Sequence, residues 1–102
     1  MAVIYQQTMP EGIPVEMLDE VTDEMGVDTN PPEGLLIHTH FEDGGEVRIV
    51  DVWESQEAYE KFNAERLGPA VRKVAQARGV DMAEGPGPVG TMTKVHRVVR
   101  GA

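Results

Sequence analysis

The chain divides into short runs of β-forming residues and two longer segments in which apolar residues recur at helical spacing. Val3 to Thr8 are predicted to form a first strand, which a Pro-Glu-Gly turn closes. Ile13, Met17, Val21 and Met25 then recur every four positions, which is the spacing of one apolar stripe of a helix. A proline near the start of this stripe and a glycine just past its end fit the usual limits of a helix.

A hairpin is predicted next, because Leu35 to Phe41 and Glu46 to Trp53 are rich in β-branched and aromatic residues. The Asp-Gly pair between them is the strongest short signal for a hairpin, since tight turns of this kind need positive φ. With Asp43-Gly44 at the turn, Glu42 is expected to pair with Gly45.

A second helix is predicted after the hairpin, with Ser55 as its N-cap and Gly79 at its end. Its apolar positions are Tyr59, Phe62, Leu67, Val71 and Val74. We expect a break near Gly68-Pro69, because proline interrupts helical hydrogen bonding. A loop rich in glycine and proline, from Glu84 to Gly90, leads into a last strand from Thr91 to Arg100.

The element order β-α-β-β-α-β predicts an α+β protein of the ferredoxin-like type, with both helices on one face of a four-stranded antiparallel sheet. Residues 1–102 are expected to form a single domain, because the chain contains no internal repeat and no dividing linker. This arrangement leaves the second face of the sheet without a helical cover.

Alternation along the hairpin strands predicts which side chains share a face. One face is expected to hold Leu36, His38, His40, Val47, Ile49, Asp51 and Trp53. The other is expected to hold Leu35, Ile37, Thr39, Phe41, Arg48, Val50 and Val52. The second set is the more apolar, so we expect it to lie under the helices. The first set is then expected to be covered by a second copy of the chain, in a homodimer that encloses a partly polar cavity.

Charge and composition exclude several classes of function. The net charge is −9, and eleven acidic residues precede Arg48, the first basic residue. Such a surface repels phosphate backbones and anionic lipids, so neither nucleic acid nor a membrane is an expected partner. The absence of cysteine excludes disulfides and thiolate chemistry. We expect no signal peptide, no membrane span and a cytoplasmic location.

Gly85 to Gly90 formally match the G-x-G-x-x-G pattern of dinucleotide sites. Such a site needs backbone N–H donors at the start of a helix, whereas two prolines remove donors here and a strand is expected to follow. We therefore predict no nucleotide cofactor.

The histidines are the strongest candidates for chemistry. His38 and His40 lie two apart and project from one face of a strand, and Asp51 on the neighbouring strand is placed to orient the ring of His38. An imidazole that titrates near neutrality suits a general base acting on an acidic phenol. The same three residues resemble a two-histidine, one-carboxylate metal set, but the third ligand is only inferred, so no metal is predicted. His96 on the last strand is a possible fourth group, but the sequence does not show which face of the sheet it lies on.

The segments from Gly34 to Phe41 and from Val47 to Phe62 resemble the dimeric α+β barrel superfamily, and in particular proteins related to antibiotic biosynthesis monooxygenases. The matching features are Asp51-x-Trp53 at a strand end, Ser55 at a helix start, and Tyr59 and Phe62 within that helix. The resemblance implies a homodimer with a ligand pocket between each sheet and its helices or inside the barrel. It also implies that Trp53 occupies the position of the pocket tryptophan. Haem-degrading relatives use a helix-borne histidine, and the stretch from 55 to 80 contains none, so no haem is expected.

Two functions remain open from the sequence. The chain is either a cofactor-independent monooxygenase or cyclase of aromatic, polyketide-like substrates, or a dimeric ligand-binding protein without catalysis. In the first, His38, His40 and Asp51 are the predicted catalytic residues. The predicted substrate-binding residues are Leu36, Ile49, Trp53, Tyr59 and Phe62. In the second, the histidines line a wet cavity and Trp53 belongs to the core or an interface.

Overall fold

The computed structural model describes residues 1–79 and 90–102 of the chain. Its elements are β1 (Val3–Thr8), α1 (Val15–Met25), β2 (Leu35–Asp43), β3 (Glu46–Trp53), α2 (Gln56–Phe62), a π-helical segment (Asn63–Leu67), α3 (Gly68–Arg78) and β4 (Gly90–Lys94). The strands form one antiparallel sheet in the order β2-β3-β1-β4. The predicted α+β, ferredoxin-like order of elements is confirmed.

The hairpin turn consists of two glycines. Gly44 and Gly45 have φ values of 58° and 84°, and Asp43 pairs with Glu46. Both turn positions therefore need positive φ, which glycine adopts without steric cost. The predicted pairing of Glu42 with Gly45 is wrong, because the turn lies one position later. Each β3 residue faces a β2 residue two positions further along than predicted, and a shift of two leaves every side chain on its predicted face.

A β-bulge at the start of β2 breaks this alternation. Leu35 pairs with Trp53 and Ile37 pairs with Val52, so Leu36 is an extra residue without a partner. Leu35 consequently shares the face of Trp53, while Leu36 lies on the opposite face.

The second helix begins as predicted and continues where a break was expected. The Ser55 hydroxyl accepts the backbone N–H of Ala58 at 3.1 Å, which confirms the N-cap. Instead of breaking at Gly68-Pro69, the helix passes through the π-helical segment, and Pro69 lies in the first turn of α3. Pro69 has no N–H to donate back along the continuous helix, and the π turn before it accommodates the missing hydrogen bond.

The last strand is shorter than predicted, since it ends at Lys94 rather than at Arg100. Lys94 pairs with Val3, and the N–H of Val95 donates to the carbonyl of Ala2 at 2.9 Å. Because β1 begins at Val3, the ladder between β1 and β4 ends here. The predicted loop from Glu84, with most of the G-x-G-x-x-G pattern, lies outside the described residues.

The helices pack on one face of the sheet and on each other. The cluster between α1 and α3 contains Met17, Val21, Ala70, Val74 and Ala75. Ion pairs of Lys73 with Glu24 and of Arg78 with Glu20 join the same two helices at the surface. Within residues 1–79 and 90–102, no helix has the length and apolar character needed to cross a bilayer.

The helices cover the opposite face from the one predicted. Trp53 is 0% exposed and contacts Phe62 of the α2 helix, whereas Ile37 on the other face is 55% exposed. The prediction counted apolar residues on the two hairpin strands alone. A tryptophan buries more apolar area than a valine, and Val3 and Tyr5 of β1 add to the same face. The polar groups on this face bond to one another, which permits their burial.

Candidate functional site

A partly open cavity of about 40 Å³ lies between the sheet and the helices. Its lining residues are Tyr5, Gln7, Met25, Val27, Leu35, His38, Ile49, Asp51, Trp53, Tyr59, Phe62 and Leu67. The cavity therefore lies inside one copy of the chain, on the sheet face that the helices cover. This position is one of the two that the family resemblance implied.

Aromatic rings form one wall of the cavity. Tyr5 and Tyr59 stack with their centroids 4.5 Å apart. Trp53 meets Tyr59 edge-on at 5.7 Å and meets Phe62 at 5.1 Å. Strands β1 and β3 supply two of these rings and α2 supplies the other two, so the wall joins the sheet to the helix. Flat apolar rings in this arrangement suit a planar aromatic ligand.

Asp51 is the buried polar group of the cavity, with only 5% of its surface exposed. Its Oδ1 lies 2.7 Å from Nδ1 of His38, and its Oδ2 accepts the indole N–H of Trp53 at 3.3 Å. A buried carboxylate is costly unless its oxygens are bonded, and both are bonded here. Asp51 therefore holds His38 and Trp53 in fixed orientations.

The hydrogen bonds continue from Asp51 to the protein surface. Nε2 of His38 lies 3.1 Å from Nδ1 of His40, and Nε2 of His40 lies 2.7 Å from Oδ1 of Asp19 on α1. The Asp19 side chain is 60% exposed. We call the series Asp51–His38–His40–Asp19 the histidine chain. It connects the buried end of the cavity wall with solvent.

Tyr59 supplies a hydroxyl that stays protonated. Burial, a hydrogen bond with Tyr5 and the nearby Asp51 carboxylate all raise the pKa of the Tyr59 phenol well above its ordinary value. The Tyr5 hydroxyl in turn donates to Oε1 of Gln7 at 2.7 Å. Tyr59 is therefore neutral and is not a candidate base near neutral pH.

The histidine chain does not have the geometry of a metal site. Across the part of the chain that the structure describes, no group of three or more His, Asp or Glu residues is placed to hold a metal ion. In the histidine chain, each imidazole nitrogen faces a different neighbour, so the nitrogens do not converge on one point.

Four of the five predicted substrate-binding residues, namely Ile49, Trp53, Tyr59 and Phe62, line the cavity. Leu36 does not, because the bulge turns it to the other face and Leu35 takes its place. Of the predicted catalytic residues, His38 and Asp51 line the cavity, whereas His40 lies behind His38. His96 follows the end of β4 and is exposed.

The sequence interpretation missed several residues of the site. Tyr5 and Gln7 share one face of β1, and the facing of β1 was not predicted. Asp19 is one of the eleven acidic residues before Arg48 and was not singled out. Asp19 and His40 are 21 positions apart along the chain, and it is the packing of α1 on the sheet that brings them into contact. No local pattern in the sequence signals that contact.

The uncovered face of the sheet carries an open groove of about 560 Å³. Ile4, Leu36, Ile37 and Val52 form its floor, and the C-terminal segment from Val95 to Gly101 forms a side. Phe41 on the same face is 37% exposed. A contiguous apolar surface of this kind is typical of an interaction site.

Comparison with known proteins gives structural neighbours but no family match. No protein-family model matches the chain, and no curated protein does. SnoaB, a cofactor-independent oxygenase from Streptomyces nogalater, superposes with a TM-score of 0.59 at 15% identity, over 96% of this chain and 95% of that one. A protein from Mycobacterium tuberculosis gives 0.59 at 16% identity, over 97% and 98% of the two chains. A protein described as an antibiotic biosynthesis monooxygenase gives 0.62 at 13% identity, over 95% and 100%.

These similarities establish the fold. The chain has the α+β, ferredoxin-like fold of solved antibiotic biosynthesis monooxygenase proteins, as the resemblance in its sequence predicted. A fold of this kind carries many activities, so the chemistry has to be argued from the site itself.

Proposed function

We propose that the chain is a cofactor-independent monooxygenase that oxidises a small aromatic substrate in the cavity beneath its helices. The observation that carries the proposal is the Asp51–His38 pair, which borders a cavity walled by four aromatic rings. A carboxylate that orients an imidazole beside a mainly apolar pocket is an arrangement suited to proton abstraction. The fold shared with a cofactor-independent oxygenase supports the same proposal.

His38 is the proposed base. Its Nδ1 is held by Asp51, and its side chain is 29% exposed toward the cavity and its surroundings. Nε2 of His38 lies against Nδ1 of His40 at rest, so His40 has to move aside before Nε2 removes a proton from an activated CH₂ group between aromatic rings. The resulting carbanion reduces molecular oxygen and forms a peroxide at the same carbon. Loss of water then leaves a ketone, so that R₂CH₂ and O₂ give R₂C=O and H₂O.

The remaining residues bind and orient the substrate in this proposal. Trp53, Tyr59 and Phe62 hold the aromatic plane of the substrate. Acidic phenols and anthrone-like ketones suit the site, because their carbanions delocalise into the rings.

The size of the cavity sets a condition on binding. A volume of about 40 Å³ holds roughly three water molecules and no tricyclic substrate. Entry of a larger ligand therefore requires that Met25, Val27 and Leu67, on the helical side, move away from the sheet. The π-helical segment ends at Leu67, and π turns often occur where helices serve a function.

A homodimer is part of the proposal. The exposed Ile37 and Phe41, together with the groove on the uncovered face, give a surface that a second copy would bury. The dimer predicted from the sequence used the opposite face, which the helices occupy. In the dimer proposed here, each copy has its own cavity, and the interface is formed by the sheet face that the helices leave uncovered.

Oxygen uptake tests the proposed reaction. Purified protein free of flavin and metal is mixed with a panel of anthrone- and hydroquinone-type compounds in an oxygen electrode. Wild type is expected to consume one O₂ per ketone formed, and His38→Ala is expected to lose at least about 100-fold in kcat. His96→Ala is the matched control, because His96 is exposed beyond β4.

The outcomes separate the two candidate functions. Turnover by wild type that persists in His38→Ala would remove the assigned base. A rise in melting temperature with a ligand but no oxygen uptake across the panel would favour a binding protein without catalysis.

A further inference from the structure

The histidine chain ends in a carboxylate on both sides, and this fixes where its protons lie. Asp51 and Asp19, when ionised, can only accept hydrogen bonds. The bond to Asp51 therefore requires a proton on Nδ1 of His38, and the bond to Asp19 requires a proton on Nε2 of His40. Each neutral imidazole carries one N–H, so both are used at the ends of the chain.

The two inner nitrogens are then left with lone pairs that face each other. Nε2 of His38 and Nδ1 of His40 lie 3.1 Å apart, which is hydrogen-bonding distance, with no proton from either neutral ring between them. The alternative tautomer of His40 would place a proton there but would turn a lone pair toward the Asp19 carboxylate. Charge-assisted hydrogen bonds are roughly twice as strong as neutral ones, so the bond to Asp19 is the one retained.

We propose that the gap between His38 and His40 is the receptor for the abstracted proton, and that Asp19 is the positioning residue that keeps it open. One added proton between the rings gives the histidine chain a hydrogen bond at each of its three contacts. It replaces the repulsion between the two lone pairs by an attraction. The positive charge is then shared by the two rings, which lie between two carboxylates. Asp19 acts only through His40 and contacts no part of the cavity. The role in catalysis rests on the function proposed above, whereas the tautomers do not.

Among residues 1–79 and 90–102, few ionisable groups surround the His38–His40 pair. Asp51 faces it from β3 and Asp19 from α1. Tyr5 of β1 and Tyr59 of α2 border the same cavity, and Glu42 follows His40 on the same face of β2. Asp19 is the member of this set whose replacement alters the pair without altering the cavity wall.

Asp19→Asn gives the sharpest test, because an asparagine amide can donate to Nε2 of His40. His40 then carries its proton on Nδ1, which donates to Nε2 of His38 and fills the gap. Every contact in the histidine chain then has a hydrogen bond while both rings are neutral, so the site between the rings can no longer accept a proton. Asp19→Glu restores the carboxylate, and Asp23→Asn removes the same charge one turn along the same helix as a matched control.

The measurement is nitrogen-15 NMR of histidine-labelled protein without any substrate. In alkaline buffer, wild type, Asp19→Glu and Asp23→Asn are expected to show His40 protonated on Nε2, and Asp19→Asn to show it protonated on Nδ1. A wild-type His40 protonated on Nδ1, or an Asp19→Asn spectrum equal to that of wild type, would overturn the proposal.

Activity supplies a second readout. With any substrate that wild type oxidises, Asp19→Asn is expected to lower kcat at least about 10-fold with little change in KM, and Asp19→Glu to recover most of it. Equal kcat values for Asp19→Asn and Asp23→Asn would contradict the role in proton uptake. If no compound is oxidised, the function proposed above fails, and the NMR result still decides the tautomers.

Discussion

Asp51 and Trp53 lie two residues apart on the same face of β3, and the Trp53 indole N–H donates to Oδ2 of Asp51 at 3.3 Å. The other oxygen of Asp51 bonds to His38. One carboxylate thus ties the largest buried side chain of the sheet to the candidate base. Asp51 therefore contributes both to the packing of Trp53 and to the position of His38. Different substitutions can test the two contributions separately.

Trp53→Phe is expected to lower the free energy of unfolding by about 2 kcal/mol, because it opens a void and leaves Oδ2 of Asp51 without a donor. Urea unfolding followed by circular dichroism measures the change. Phe62→Tyr, which alters the same aromatic cluster and keeps the indole N–H, is the control and should cost less. An unfolding midpoint for Trp53→Phe equal to that of wild type would show that the indole bond contributes little.

Asp51→Asn should abolish most of the activity while retaining the shape of the site. An amide is neutral and cannot stabilise a protonated His38, so oxygen uptake is expected to fall about 100-fold or more. Glu54→Gln removes a charge from an exposed position just after β3 and should leave the rate unchanged. Comparable rates for the two variants would argue against an Asp51–His38 pair in the reaction.

The bulge predicts opposite effects at two adjacent leucines. Leu35→Ala should enlarge the cavity and strengthen the binding of larger aromatic ligands, as measured by the ligand-induced shift in melting temperature. Leu36→Ala should leave this shift unchanged, because Leu36 lines the groove on the other face. If Leu36→Ala changed ligand binding and Leu35→Ala did not, the placement of the bulge would be wrong.

Ile37→Glu should dissociate the proposed dimer. A charge in the centre of the uncovered apolar face is costly to bury against a second copy. Sedimentation equilibrium at micromolar concentration is expected to show two chains for wild type and one for the variant. Gln76→Glu adds the same charge to an exposed position of α3 and should remain dimeric. A monomeric wild type would refute this part of the proposal.

The sequence predicts the fold well because its signals are local. The stripe from Ile13 to Met25, the capping Ser55 and the glycines of the hairpin turn each determine a few adjacent residues. Six such elements in this order are compatible with few topologies. The resemblance around Asp51 and Trp53 pointed to the same fold.

Which face of the sheet the helices cover could not be predicted in the same way, because it depends on contacts between elements that are distant in sequence. The preference for the apolar set of Ile37, Val50 and Val52 under the helices ignored β1 and the size of Trp53. It also counted His38 and Asp51 as polar without considering that they satisfy each other. The contact of His40 with Asp19 requires the helix to be placed first, so no spacing along the chain reveals it.

Hydrogen–deuterium exchange of a bound substrate under nitrogen tests the central claim most directly, because it isolates proton abstraction from the reaction with oxygen. Anthrone is incubated in D₂O without O₂, and the loss of its methylene protons is followed by NMR. Wild type is expected to accelerate exchange well above the buffer rate, and His38→Ala is expected to return it to that rate. Equal exchange with wild type, His38→Ala and buffer alone would contradict the assignment of His38 as the base.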